Sequence, residues 1–220
     1  TDAINSYGVP AIAHLTCVSS TREKVHTVIH ELKERGIENI LALRGDIPTN
    51  TDFPLPDQYH HAIELIREIK EAGDFCIGGA CYPEGHPEAA NMNEDLDHLK
   101  EKVDAGCEYL TTQMFFDNQK YYDFVERCRA EGIQVPIIPG IKPVVFKNQL
   151  TVLPKIFRSD IPEPFASELR KCNTDEEARE VGVEWCINQC KDLVAHGVPS
   201  LHFYTMMATD SVYRVAKEIY

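Results

Sequence analysis

Apolar residues recur along this chain in two alternating rhythms. Short unbroken runs, such as PAIAHLTC at 10–17 and NILAL at 39–43, are each followed by a stretch in which apolar positions return every three or four residues. The first rhythm predicts buried strands and the second amphipathic helices. The strand over 10–17 is followed by Ser19, Ser20 and Thr21, which can cap a helix over 22–35. Val25, Val28, Ile29 and Leu32 share one face of that helix, and Gly36 stops it. The next strand enters Arg44, Gly45 and Asp46, then a polar loop, IPTNTDFPLP. Asp57 is placed to cap a helix carrying Ile63, Ile66 and Ile69 and ending at Gly73.

The cycle repeats with a strand over 75–82, the loop PEGHPEA and a helix over 93–105. It repeats again with a strand over 109–116, a helix over 118–131 and a strand over 136–141. A short helix is expected over 147–153, further helix within 160–197, a last strand over 200–206 and a last helix from Asp210. Strands alternating with helices through short connections require a parallel sheet covered by helices. A doubly wound sheet and a barrel both satisfy that pattern. Polar residues gather at the carboxyl ends of the strands (His14, Thr16, Arg44, Asp46, Tyr82, Gln113, Tyr204), which favours a (β/α)8 TIM-type barrel. No GxGxxG follows a strand, against a dinucleotide bound in the Rossmann manner. Six strands are visible, two short of a full barrel.

Composition narrows the partners. The 220 residues carry a formal net charge of -13, which argues against nucleic acid and against an anionic membrane surface. A phosphate-bearing ligand would therefore need local cations. No apolar run could span a bilayer and the start, TDAINSYGVP, lacks the regions of a signal peptide, so a soluble cytoplasmic protein of one domain over 1–220 is expected. The eight cysteines form no CxxC pair and fit reduced, mostly buried thiols. Cys186 with Cys190, and His26 with His30, lie one helical turn apart, a spacing that packing or surface positions explain better than a metal site.

The stretch 39–46, NILALRGD, is the strongest local signal. A buried strand ends by presenting a cation, a flexible residue and an anion in succession, as barrel strands do at an active site. An ordinary turn, with Gly for its backbone freedom and Asp as a helix cap, accounts for the same residues.

With HLTC at 14–17, LRGD at 43–46, YPEGHPEA at 82–89, TTQMFFD at 111–117, IIPGIKP at 137–143 and HFYT at 202–205, the chain resembles the methylenetetrahydrofolate reductase family. The motifs occur in family order. The resemblance implies a flavin-binding (β/α)8 barrel that passes a hydride from NADH or NADPH, through FAD, to 5,10-methylenetetrahydrofolate, in ping-pong fashion at a shared site. It places flavin contacts on His14, Arg44, Gly45, Asp46, Tyr59, His60, Tyr82, His86, Pro87, Glu88, Ala89, Asp95 and Lys102. Folate contacts fall on Asp46, Gln113, Gln149 and Tyr204, with Asp46 and Gln113 as the catalytic pair. Arg44 and Lys102 would neutralise the pyrophosphate, and the Asp46 carboxylate would favour hydride release and stabilise a cationic folate. Gln113 offers an amide donor and acceptor suited to a pterin edge.

Two departures carry expectations of their own. The family's first two strands, the first bearing the glutamate regarded as its acid, have no counterpart, so an N-terminally incomplete chain is expected. Otherwise a second copy or a partner subunit must close the sheet. Ala208 follows HFYTMM where the family has an arginine for the folate tail. Alternatives to a complete reductase are a flavin- or folate-binding barrel subunit without its own turnover, and an aldolase-like lyase. The latter is disfavoured because no lysine stands at a convincing strand end.

Overall fold

The computed structural model describes residues 6–18, 20–48 and 52–220. The expected capping role of Ser19, the middle of the 47–56 loop and most of the helix end expected over 1–8 fall outside the described residues. The chain gathers into two compact units, Thr1–Ala80 with Asn93–Leu110, and Cys81–Met92 with Thr111–Tyr220.

In the first unit, β1 (Ile12–Thr16), β2 (Asn39–Leu43) and β3 (Cys76–Cys81) run parallel in that order, with Ile12 opposite Asn39 and Asn39 opposite Cys76. The start of β4 (Tyr109–Thr112) follows, where the Glu108 N–H donates to the Ile77 carbonyl at 2.7 Å. Among the described residues β1 is paired on one side. The Thr21 hydroxyl accepts from the Lys24 N–H to cap α1 (Arg22–Glu34), which buries Val25, Ile29 and Leu32.

The second helix, α2 (Ala62–Ala72), starts later than its sequence pattern predicts. Asp57 does not cap it: the Asp57 carbonyl takes the Arg22 N–H at 2.7 Å, tying that residue to the start of α1. Glu64 closes the helix entry, its carboxylate accepting from the His60 and His61 N–H groups. Leu65, Ile66 and Ile69 on α2 are fully buried, and α3 (Met92–Asp104) adds Leu96 and Leu99 to the core. Burial of such a stripe, at roughly 1.5–3 kcal/mol per large side chain, holds a helix on a sheet.

In the second unit, the strand expected over 136–141 is two strands. Pro139 has no N–H to donate, so the ladder breaks there into β5 (Ile137–Ile138), beside the end of β4, and β6 (Gly140–Ile141), which pairs in parallel with β7 (His202–Phe203). The strand expected over 109–116 also stops early, at Thr112. The Gln113 side chain takes the Met114 N–H at 2.9 Å, while Met114, Phe115 and Phe116 stay buried through their side chains. The helices are α4 (Asn118–Ala130), α5 (Gln149–Phe157), α6 (Glu163–Lys171), α7 (Asp175–Ala195) and α8 (Thr209–Ile219). Their core joins Met114, Phe116, Val144, Leu153, Phe165 and Leu169, with the Trp185 ring stacked on Phe165 at 4.5 Å. All eight cysteines are free thiols, seven of them buried.

Candidate active site

Each motif lies on or just after a strand. In the first unit, the backbone beyond β1 and β2 stays paired: Cys17 and Val18 donate to the Leu43 and Arg44 carbonyls at 3.1 and 2.9 Å. Gly45 then turns with φ +87, a conformation that favours glycine, and a Cβ there would sit tightly, 3.3 Å from Thr16 Cβ. That turn delivers Asp46 to an exposed position, with Arg44 half-buried before it. His14 is exposed on β1, not a core histidine.

Lys102, on α3, donates to the Ala80 carbonyl at 2.8 Å, so its ammonium is held against β3 and is not spent in a surface ion pair alone. Asp95 is 9% exposed in the first turns of the same helix. The loop pair separates sharply: His60 is exposed, whereas Tyr59 is 1% exposed beneath the Arg22 guanidinium, which lies 4.3 Å above its ring. The Tyr59 side chain is thus part of the core. Its hydroxyl has no hydrogen-bond partner among the described residues.

In the second unit, Tyr82 and His86 meet edge to face at 4.7 Å. The His86 Nδ1 accepts from the Glu88 N–H at 3.1 Å, which leaves the neutral ring's proton on Nε2. The His86 carbonyl takes the Ala89 N–H, and the Pro87 carbonyl takes the Arg158 guanidinium at 2.9 Å, so this loop is an ordered turn. Gln149 begins α5 with its side-chain oxygen accepting from Val145 and Phe146 N–H groups, and Gln113 is folded onto Met114. Both candidate folate contacts therefore also shape their own loops. The Tyr204 hydroxyl donates to the Thr112 carbonyl at 2.8 Å, and burial pushes its pKa up. Ala208 precedes α8 without a side-chain cap.

Sequence reasoning missed several residues. Thr112, fully buried, accepts the Gly140 N–H on its hydroxyl while its carbonyl takes Tyr204, and the TTQ motif was the available signal. Lys142 corrects the expectation that no lysine stands at a strand end: it directly follows β6 and is 3% exposed. Burial depresses its pKa, opposed only by the Cys186 thiol. Because folding favours its neutral form, stability rises as pH climbs from that depressed value towards 10.5. Lys142→Met should therefore stabilise the chain by about 1–3 kcal/mol at pH 7, an advantage that vanishes near pH 10.5 and is measured by chemical denaturation across pH.

A cavity of about 620 Å³ in the second unit is lined by α4, α5 and α6, and its charged side chains are engaged: Lys120 with Asp160 and Glu84, Arg170 with Glu163, and Asp117 as the cap of α4. Among the described residues, no group of three or more His, Cys, Asp or Glu could hold a metal ion, and no helix is long and apolar enough to cross a membrane.

Parallel strands and intervening helices, with candidate side chains at the strand ends, define an α/β protein of the TIM-barrel type. A solved Clostridium thermocellum protein, described as binding two copies of 5-methyl-5,6,7,8-tetrahydrofolic acid, shares the fold with a TM-score of 0.62 at 15% identity, over 98% of this chain and 77% of that one. The chain belongs to the methylenetetrahydrofolate reductase family, whose model matches residues 1–220. It is 39% identical over 209 residues to the 5,10-methylenetetrahydrofolate reductase of Pectobacterium carotovorum, covering 94% of this chain and 69% of that one. It is 36% identical over 217 residues to methylenetetrahydrofolate reductase 1 of Schizosaccharomyces pombe, spanning 97% of this chain but 36% of that relative.

Proposed function

We propose that this chain is the catalytic domain of a cytoplasmic methylenetetrahydrofolate reductase, taking hydride from NADH or NADPH and delivering it to 5,10-methylenetetrahydrofolate through FAD. The observation that carries this reading is that the family's motifs occupy strand ends in both units: HLTC and LRGD at β1 and β2, YPEGHPEA after β3, TTQMFFD at β4, IIPGIKP at β5 and β6, and HFYT at β7.

The residues present suit the cofactor. In a chain of net charge -13, two half-buried cations suit a pyrophosphate: Arg44, which follows β2, and Lys102, which reaches from α3 to the Ala80 carbonyl of β3. When bound, FAD would supply two-electron hydride chemistry, a capacity that no side chain has. The protein's own part is then binding and electrostatics. Arg44 and Lys102 hold phosphate, Tyr82 and His86 present an aromatic surface, and Asp46 places negative charge where cationic folate must be stabilised. Gln113, Gln149 and Tyr204 orient the folate.

The visible absorption spectrum of the purified chain incubated with FAD, before and after anaerobic NADH or NADPH, tests the reading. A bound flavin that bleaches is the expected result. A chain that stays colourless after gel filtration overturns it for this chain.

A further inference from the structure

We propose that Arg158, Ser159 and Asp160, pinned by Lys120, form a positioning clasp that holds the loop after β3 and the segment after β4 in place before any ligand arrives. The inference rests on the reading above only in taking those stretches as ligand-bearing. All of its contacts lie within the second unit.

The clasp begins where α5 ends. Arg158 caps that helix in the left-handed region, at φ 54, a conformation that a non-glycine residue keeps only where its surroundings impose it. The turn lets three successive residues reach different targets. The Arg158 guanidinium donates to the Pro87 carbonyl at 2.9 Å. The Ser159 hydroxyl, on a residue 2% exposed, donates to the Met114 carbonyl at 2.7 Å. The Asp160 N–H donates to both carboxylate oxygens of Glu84 at 3.2 Å. Pro87 sits between His86 and Glu88, and Met114 directly follows Gln113.

Lys120 makes the third contact tolerable. It reaches from α4 to ion-pair with Glu84 and, at 2.7 Å, with Asp160. The Glu84 side chain is 13% exposed against 78% for Asp160, so solvent screens Asp160 but not Glu84. Without the lysine, Glu84 would face a second carboxylate with only the Asp160 N–H to offset the loss of water. Lys120 thus secures the tie at Glu84, beside the tie that Arg158 makes at the Pro87 carbonyl. Anchoring through backbone carbonyls and a half-buried ion pair is how a rigid second layer presets ligand-bearing groups.

The test uses Lys120→Met and Lys120→Arg in the full chain, with amide hydrogen exchange in the ligand-free protein and FAD affinity by flavin fluorescence. In Lys120→Met, exchange at the Gly85 and Ala89 amides, which bond to the Tyr82 and His86 carbonyls, should accelerate about tenfold or more and the FAD Kd should rise about tenfold. Lys120→Arg should restore both. Unchanged exchange in Lys120→Met, or no restoration by arginine, overturns the clasp. If the wild-type chain binds no FAD, the cofactor reading falls while exchange still decides the clasp. Should Lys120→Met fail to fold, Ser159→Ala replaces it. Loss of the Met114 link alone should then speed exchange over residues 113–116 and leave residues 84–90 at the wild-type rate, and uniform exchange across both stretches would overturn the clasp.

Discussion

Gly140→Ala is expected to lower the thermal midpoint by about 10 °C or more. A Cβ at that position would lie 2.2 Å from the Thr112 carbonyl oxygen and 2.6 Å from Tyr204 Cε2, and the first of these is backbone on a neighbouring strand, which no rotamer change can move. Relieving the overlap means displacing that strand or β6 by about an ångström, against a packed interior that has no room to give. The same shift would break the Gly140 N–H bond to the Thr112 hydroxyl and the Tyr204 bond to the Thr112 carbonyl. Overpacking usually costs about 1–3 kcal/mol, and adding two buried hydrogen bonds brings the loss to roughly 4 kcal/mol or more. For a chain of this size each kcal/mol lowers Tm by about 2–4 °C. Gly132→Ala is the control. It adopts φ +84 with nothing within 4 Å of its Cβ, so only the backbone strain of about 1–2 kcal/mol applies. Parallel thermal melts of the two variants decide the matter, and equal shifts would show that close approach at Gly140 contributes nothing.

Asp46→Asn should slow folate reduction by about a hundredfold or more while changing flavin reduction by less than about threefold. The asymmetry follows from the charge. In the proposed reaction the folate is attacked as a cation, and Asp46 is the exposed carboxylate delivered by the Gly45 turn beside the strand end. Asparagine keeps the size and hydrogen-bonding capacity and removes only the negative charge. Rapid mixing of the nicotinamide half-reaction and of the folate half-reaction separates the two effects. Equal slowing of both halves would remove Asp46 from this role. The core is not disturbed by the substitution, since Asp46 is exposed.

Much of the architecture was legible because strands and helices declare themselves through spacing. The stripe of Val25, Ile29 and Leu32 on α1 and the runs that became β1, β2 and β3 follow from the period of apolar positions alone. Boundaries failed where a side chain or a proline intervened. Pro139 split one expected strand in two, Gln113 ended another by capping its own neighbour, and Asp57 lost its capping role to a backbone bond with Arg22. None of these competitors has a periodic signature.

The candidate site divides in the same way. From sequence alone come the motif residues and their order along the chain, because glycine, proline and charged residues at strand ends are local signals. Tertiary structure alone decided that Tyr59 is core while its neighbour His60 is exposed, that Lys102 reaches the Ala80 carbonyl, and that Lys142 is buried. It also brought Glu84, Lys120 and Asp160 together across 76 positions of chain. Burial and charge pairing are properties of what surrounds a side chain. Residues far apart in sequence supply those surroundings, and only the folded backbone determines which of them meet.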